Sequence, residues 1–210
     1  MSNKVNIKEE ARVQISNKVS KLGENIPTVN FPALVTCRAN APCRHGCYAL
    51  KGHFLFQKVQ NRFMKNLEAY KKNPTQFWED IYEGSKFHTY FRYFSSGDIP
   101  DYKFIRGMCQ VARRNPHTKY LCFTKRYEWV NQWKDEKHQI PKNLQFVFSC
   151  WKDFVPENPY HFPMTFVQFP KEPEYDCYIP ENAIPCSGSC ASCQACWNMK
   201  KGESVVFRKH

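Results

Sequence analysis

Between His88 and Phe169 the chain alternates extended aromatic runs with segments of helical period, and this alternation narrows the fold more than any other feature. "FHTYFRYF", "KYLCFTK", "NLQFVFSCW" and "MTFVQF" read as strands. Between the first three lie "DYKFIRGMCQVARRN" and "RYEWVNQWKDE". In the former, Phe104, Ile105, Met108, Val111 and Ala112 recur at helical spacing behind Asp101, an N-cap candidate. Strand and helix in turn predict an α/β protein with a parallel sheet and right-handed crossovers. It is either an open doubly wound sheet or a partial (β/α) barrel resembling a shortened TIM-type barrel. Reactive residues in such folds gather at the C-terminal ends of strands. Here those ends carry Cys37 after "ALVTC", then Ser96, Gly97 and Asp98, then Thr124 and Lys125, then Ser149, Cys150 and Trp151.

Upstream, Phe56, Val59, Phe63, Leu67 and Tyr70 mark one face of a helix over His53 to Lys72, and a second helix is expected from Thr75 to Glu83. Phe56, Phe63 and Trp129 are expected in the core. Residues 1–30, polar and ending in the proline-flanked "ENIPTVNFP", read as a loosely packed leader. Residues 31–176 form the α/β core, and 177–210 a cysteine-rich segment packed on it.

Eleven cysteines in 210 residues would suggest disulfides in a small secreted protein. The number is odd, the N-terminus has no apolar signal segment, and the chain is long enough to fold without staples, which favours reduced thiols serving a metal. No apolar run reaches the length of a membrane span, so a cytoplasmic protein is expected. The net charge of +12 suits an anionic partner such as nucleic acid, although the basic residues are scattered. No nucleophile elbow and no glycine-rich phosphate loop is present, which removes the hydrolase and nucleotide-loop classes.

Seven cysteines form two constellations. Cys37, Cys43 and Cys47 lie in "CRANAPCRHGCYAL", a loop that can turn three thiolates toward one point and leave one iron of a cluster open or ligated from elsewhere. His45, between two of them, is a ligand or an exposed basic neighbour. Cys186, Cys190, Cys193 and Cys196 follow C-x3-C-x2-C-x2-C, the spacings of a bacterial ferredoxin run in reverse order. Structural zinc usually draws on two knuckles separated by a longer loop, and none intervenes here. One or two [4Fe-4S] clusters are therefore expected, with zinc the alternative. Cys186 could cross to complete the first set, and Cys177 is either an eighth ligand or an idle buried thiol. Cys109, Cys122 and Cys150 fall in apolar patterns and are expected in the core.

"CRHGCYALKG", "FRYFSSGDIPD", "CFTKRYEWVN", "IPKNLQFVFSCW" and "CSGSCASCQACW", in that order, resemble the phage-encoded gene product 88 family. That resemblance implies a phage or prophage origin and no settled activity. A more distant similarity is to radical S-adenosylmethionine enzymes, which pair a partial (β/α) barrel with a three-cysteine loop after the first strand. It implies that Cys37, Cys43 and Cys47 hold the reactive cluster and that Ser96, Gly97 and Asp98 contact S-adenosylmethionine. The loop spacing differs from the C-x3-C-x2-C usual there. Arg92 and Lys125 are candidates for binding a cofactor carboxylate or phosphate. The expected function is thus an iron-sulfur protein, redox or radical in chemistry if it is an enzyme, fed by an electron donor. The alternative is a zinc or structural-cluster module that recognises nucleic acid or a host protein.

Overall fold

The computed structural model describes residues 12–19, 21–169 and 171–208. Seven strands form one sheet in which every neighbouring pair is parallel: β1 (Thr28–Val29), β2 (Tyr90–Tyr93), β3 (Lys119–Thr124), β4 (Leu144–Ser149), β5 (Met164–Gln168), β6 (Ile184–Pro185) and β7 (Ser204–Arg208). Their order is β1-β2-β3-β4-β5-β7-β6, sequential except at the last edge. Helices α1 (Gln57–Lys72) and α2 (Pro74–Ser85) connect β1 to β2, α3 (Lys103–Arg114) connects β2 to β3, and α4 (Tyr127–Asp135) connects β3 to β4.

All four of these helices pack on one face of the sheet. Because side chains alternate along a strand, Phe91, Tyr93, Tyr120, Cys122, Phe146 and Phe148 point one way. There they meet Leu67, Phe77, Ile81, Phe104, Met108 and Val130 from the helices in one buried cluster. The intervening residues Tyr90, Leu121, Phe123 and Val147 face away, into a second cluster with Leu22, Ile26 and Trp197. That second face is concave. Three strand intervals would separate β3 from β7 by about 14 Å in a flat sheet, yet the Phe123 and Phe207 rings stand 5.8 Å apart. Helices outside and a curled sheet inside make an opened (β/α) barrel, so of the two architectures expected the partial barrel is the one adopted.

The differences from the sequence reading lie at the margins. "ALVTC" does not form the first strand: Leu34 has φ +66°, the segment is turned, and the edge strand is Thr28–Val29 upstream. Of the expected leader, residues 1–11 and 20 lie outside the described residues, whereas Leu22, Ile26 and Val29 are buried. Phe56 is 65% exposed. The helix starts only at Gln57, after three short 3-10 turns, so Phe56 sits in extended backbone before it and off its apolar face. Phe63 is in the core, and Trp129 is partly buried against it. Strand β7, drawn from "SVVFR", was not anticipated. None of the described helices is long and apolar enough to cross a membrane.

Candidate metal centres on the concave side

The loop after β1 carries Cys37, Cys43 and Cys47, all partly exposed. A tie to the barrel lies beside each of them. Next to Cys37, the Thr36 hydroxyl accepts the Asp98 N–H at 3.0 Å and the Thr36 carbonyl accepts from Arg126 at 3.0 Å. Next to Cys43, Arg44 donates to the Leu34 carbonyl at 3.4 Å. Next to Cys47, the Tyr48 hydroxyl donates to the Ser95 carbonyl at 2.6 Å. The backbone is thereby fixed around three thiols that are electrostatic neighbours. Cys37 is pushed up to about 11, chiefly by burial, with Asp98, Cys43 and Cys47 adding to the rise and a backbone hydrogen bond at Leu34 opposing it. Burial also raises Cys47, against the pull of Lys125. The side chain of His45 lies outside the described residues.

The turn after β2 seats this loop. Asn30 Oδ1 accepts the N–H groups of Ser95 at 2.6 Å and Ser96 at 3.1 Å. Gly97 has φ +83°, and a Cβ there would lie 2.8 Å from Thr36 Oγ1 and 2.9 Å from the Phe31 carbonyl. Asp98 is buried, and both carboxylate oxygens are engaged. Oδ1 accepts from the Ile99 N–H at 2.8 Å and the Thr124 hydroxyl at 2.7 Å, and Oδ2 from the Lys125 N–H at 2.9 Å. Asp98 therefore clamps the end of β2 to the end of β3. The Ser96 hydroxyl is buried with no hydrogen-bond partner. Asn30 and Thr36 were not singled out from the sequence, because neither belongs to a local motif and their partners lie more than 60 residues away.

The second set lies on the concave face. Cys186 follows β6, its N–H donating to the Val206 carbonyl at 2.9 Å. Cys190 opens the short helix α5 (Cys190–Cys193), its N–H donating to the Lys21 carbonyl at 2.8 Å. Gln194, at φ +54°, turns the chain back toward Cys196. Trp197 anchors the segment, donating from Nε1 to the Phe91 carbonyl at 3.0 Å and stacking edge-on to Tyr90 at 5.4 Å. Cys190 and Cys196 pack against this cluster. Burial pushes Cys196 up to about 12, with Cys190, Cys186 and Cys193 as further negative neighbours and Arg92 opposing them. Cys186 thus sits with the C-terminal set. Cys177 joins neither set and packs with Cys150 and Phe166. Cys109, Cys122 and Cys150 are fully buried, as expected.

Arg92 rises from the middle of β2 on the concave side, its guanidinium carbon 4.9 Å from the centre of the Phe123 ring. Lys125 Nζ lies 5.8 Å from the centre of the Trp151 ring. Among the described residues no three His, Cys, Asp or Glu side chains stand close enough together to hold a metal ion as placed. The donor chemistry does suit a soft metal, since both sets are thiols only.

Fold and site together define an opened α/β barrel that carries two thiol sets, one on the loop after its first strand and one in a segment lining its concave face. The chain belongs to the gene product 88 family, whose model matches residues 1–199. No curated protein and no solved structure matches it.

Proposed function

We propose that this chain is an iron-sulfur protein, with Cys37, Cys43 and Cys47 ligating one cluster and Cys186, Cys190, Cys193 and Cys196 a second. The supporting observation is the partition of the thiols. Cys109, Cys122 and Cys150 fill the core, whereas these seven lie outside it and keep company with one another in two groups. A group of three thiolates leaves zinc short of its usual four ligands, while a four-iron cluster accepts three and keeps one iron open. Such a cluster supplies one-electron chemistry and needs an electron donor.

Anaerobic purification tests this directly. A brown protein with about six to eight irons and matching acid-labile sulfide per chain is the expected result, and about four would reduce the reading to one cluster. A colourless protein with stoichiometric zinc, or a metal-free one, overturns it.

The finer reading is radical chemistry on S-adenosylmethionine at the N-terminal set. It is favoured by the position of that loop, opposite the Ser96-Gly97-Asp98 turn, and by the unpartnered Ser96 hydroxyl. Asp98 would act there by holding the turn, since its oxygens are taken. Reduced protein given S-adenosylmethionine should release 5'-deoxyadenosine, and absence of both release and binding ends this reading. A nucleic-acid role is favoured by Lys58, Lys65, Lys71, Lys103 and Arg106, all exposed on α1 and α3. Affinity for single-stranded DNA that falls steeply with added salt is the expected sign.

A further inference from the structure

The geometry points to a division of charge within the barrel: Arg92 is the counter-cation of the C-terminal thiolate set, and Lys125 that of the N-terminal set, so that each set holds a separate anionic centre. This rests on the cluster reading above and goes beyond it by assigning a residue to each centre.

The argument begins with an unmatched charge. Arg92 lies in register with Thr28 on one side and Leu121 on the other, in the middle of the sheet. Its Nε is buried with no hydrogen-bond partner, and no Asp or Glu among the described residues pairs with it. A guanidinium never sheds its proton in a protein, so a buried one without an anion is costly. What surrounds it is the C-terminal segment. Tyr90, two residues earlier on the same face, stacks on Trp197. Leu121, its cross-strand partner, and Phe123, under its guanidinium, belong to the cluster that packs Cys190 and Cys196. Thiols are the groups in that cluster that can become anions, and a thiolate-ligated cluster carries net negative charge. Arg92 also opposes the burial of Cys190 and Cys196, as Lys125 does for Cys47. Lys125, like Arg92, forms no ion pair with a carboxylate among the described residues. Two cations without ion pairs thus match two sets of potential anions, one to one.

The test is redox titration of the anaerobically purified full chain, followed by electron paramagnetic resonance and by iron and sulfide content. Wild type is compared with Arg92→Met, Arg92→Lys and Lys125→Met. The same chains carrying Cys37→Ser, Cys43→Ser and Cys47→Ser together isolate the C-terminal centre. A nearby cation favours the reduced, more negative cluster, so removing it lowers the potential. Arg92→Met is expected to reduce the reduced-to-oxidised ratio of the C-terminal centre about tenfold, a fall of about 59 mV for a one-electron couple. The N-terminal centre should not move, and Arg92→Lys should recover most of the shift. Lys125→Met should do the converse, and it stands as an independent arm if Arg92→Met fails to fold by circular dichroism. Unchanged potentials in iron-loaded variants, both substitutions moving the same centre, or a single centre per chain would overturn the division of charge. Zinc or no metal would instead overturn the cluster reading on which it rests.

Discussion

At the scale of single residues, the turn after β2 is the most exacting part of the barrel. Gly97 combines a left-handed backbone with the absence of space for a Cβ between Phe31 and Thr36. Gly97→Ala is expected to cost about 2–3 kcal/mol, read from the urea midpoint, because strain and overpacking coincide. Asp98 beside it offers a test by pH. Burial raises its carboxyl above the ordinary 3.8, outweighing the hydrogen bonds from Lys125 and Thr124 that pull it down. A raised acid is preferred protonated in the fold. Its stabilising contribution is therefore full below about pH 4 and is lost as pH rises through the folded value. Asp98→Asn cannot titrate, and it turns an amide N–H toward a backbone donor at a cost of about 1–3 kcal/mol. The stability gap between wild type and variant should be widest below pH 4 and narrow above it, and a gap constant with pH would contradict the raised carboxyl. The core thiols give a third measure. Cys109 and Cys150 are each held up to about 12 by burial, so at pH 8 about one in ten thousand is a thiolate. In metal-free native protein, iodoacetamide should modify exposed Cys193 first and leave Cys109, Cys122 and Cys150 unmodified until urea unfolds the chain, as peptide mass mapping would show.

At the scale of elements, what could be read in advance followed from periodicity. Strands β2 to β5 and helices α1 to α4 each carry a repeat of two or of 3.6 residues over a long enough run to show in one dimension. The two-residue strand β1 has no such run, and its identity depends on pairing with Arg92 and Tyr93 more than 60 positions away. "ALVTC" has the composition of a strand but is bent at Leu34, because this stretch must return to seat Thr36 on Asp98. The site was legible to the same extent. Which cysteines are core and which are not showed in local pattern, whereas the ties at Asn30, Thr36 and Tyr48 are tertiary and left no signal. The crossing of α2 and α3 is another tertiary feature. A Cβ on Gly107 would lie 1.9 Å from the Trp78 ring, so the indole packs directly on the α3 backbone. Alanine is favoured over glycine in a helix by about 1 kcal/mol, but overpacking is the larger effect at this site. Gly107→Ala should destabilise by about 1–3 kcal/mol, and Trp78→Leu in the same chain should recover part of that loss, a coupling that a double-mutant cycle in urea would measure.

At the scale of the whole molecule, the two faces of the sheet are stabilised by different means. The helical face holds a continuous apolar cluster drawn from α1 to α4 and β1 to β4, with the non-core cysteines contributing nothing to it. The concave face has a smaller cluster, in which Trp197, Leu22 and Ile26 cover Leu121 and Val147, and its covering segment is tied by scattered backbone hydrogen bonds such as Cys190 to Lys21 and Cys186 to Val206. A segment with so few buried side chains opens locally at low cost. A metal centre within it adds its binding free energy to the closed form alone. Removing the metal should therefore act on one face. Limited proteolysis of chelator-stripped protein is expected to cut first between Cys186 and Cys196, while a fragment containing α1 to α4 and β2 to β4 survives. The metal-loaded protein should resist at both places. Equal resistance of residues 186–196 with and without metal would mean that Trp197 and its neighbours close the barrel unaided, and that the four thiols of this segment do not hold it in place.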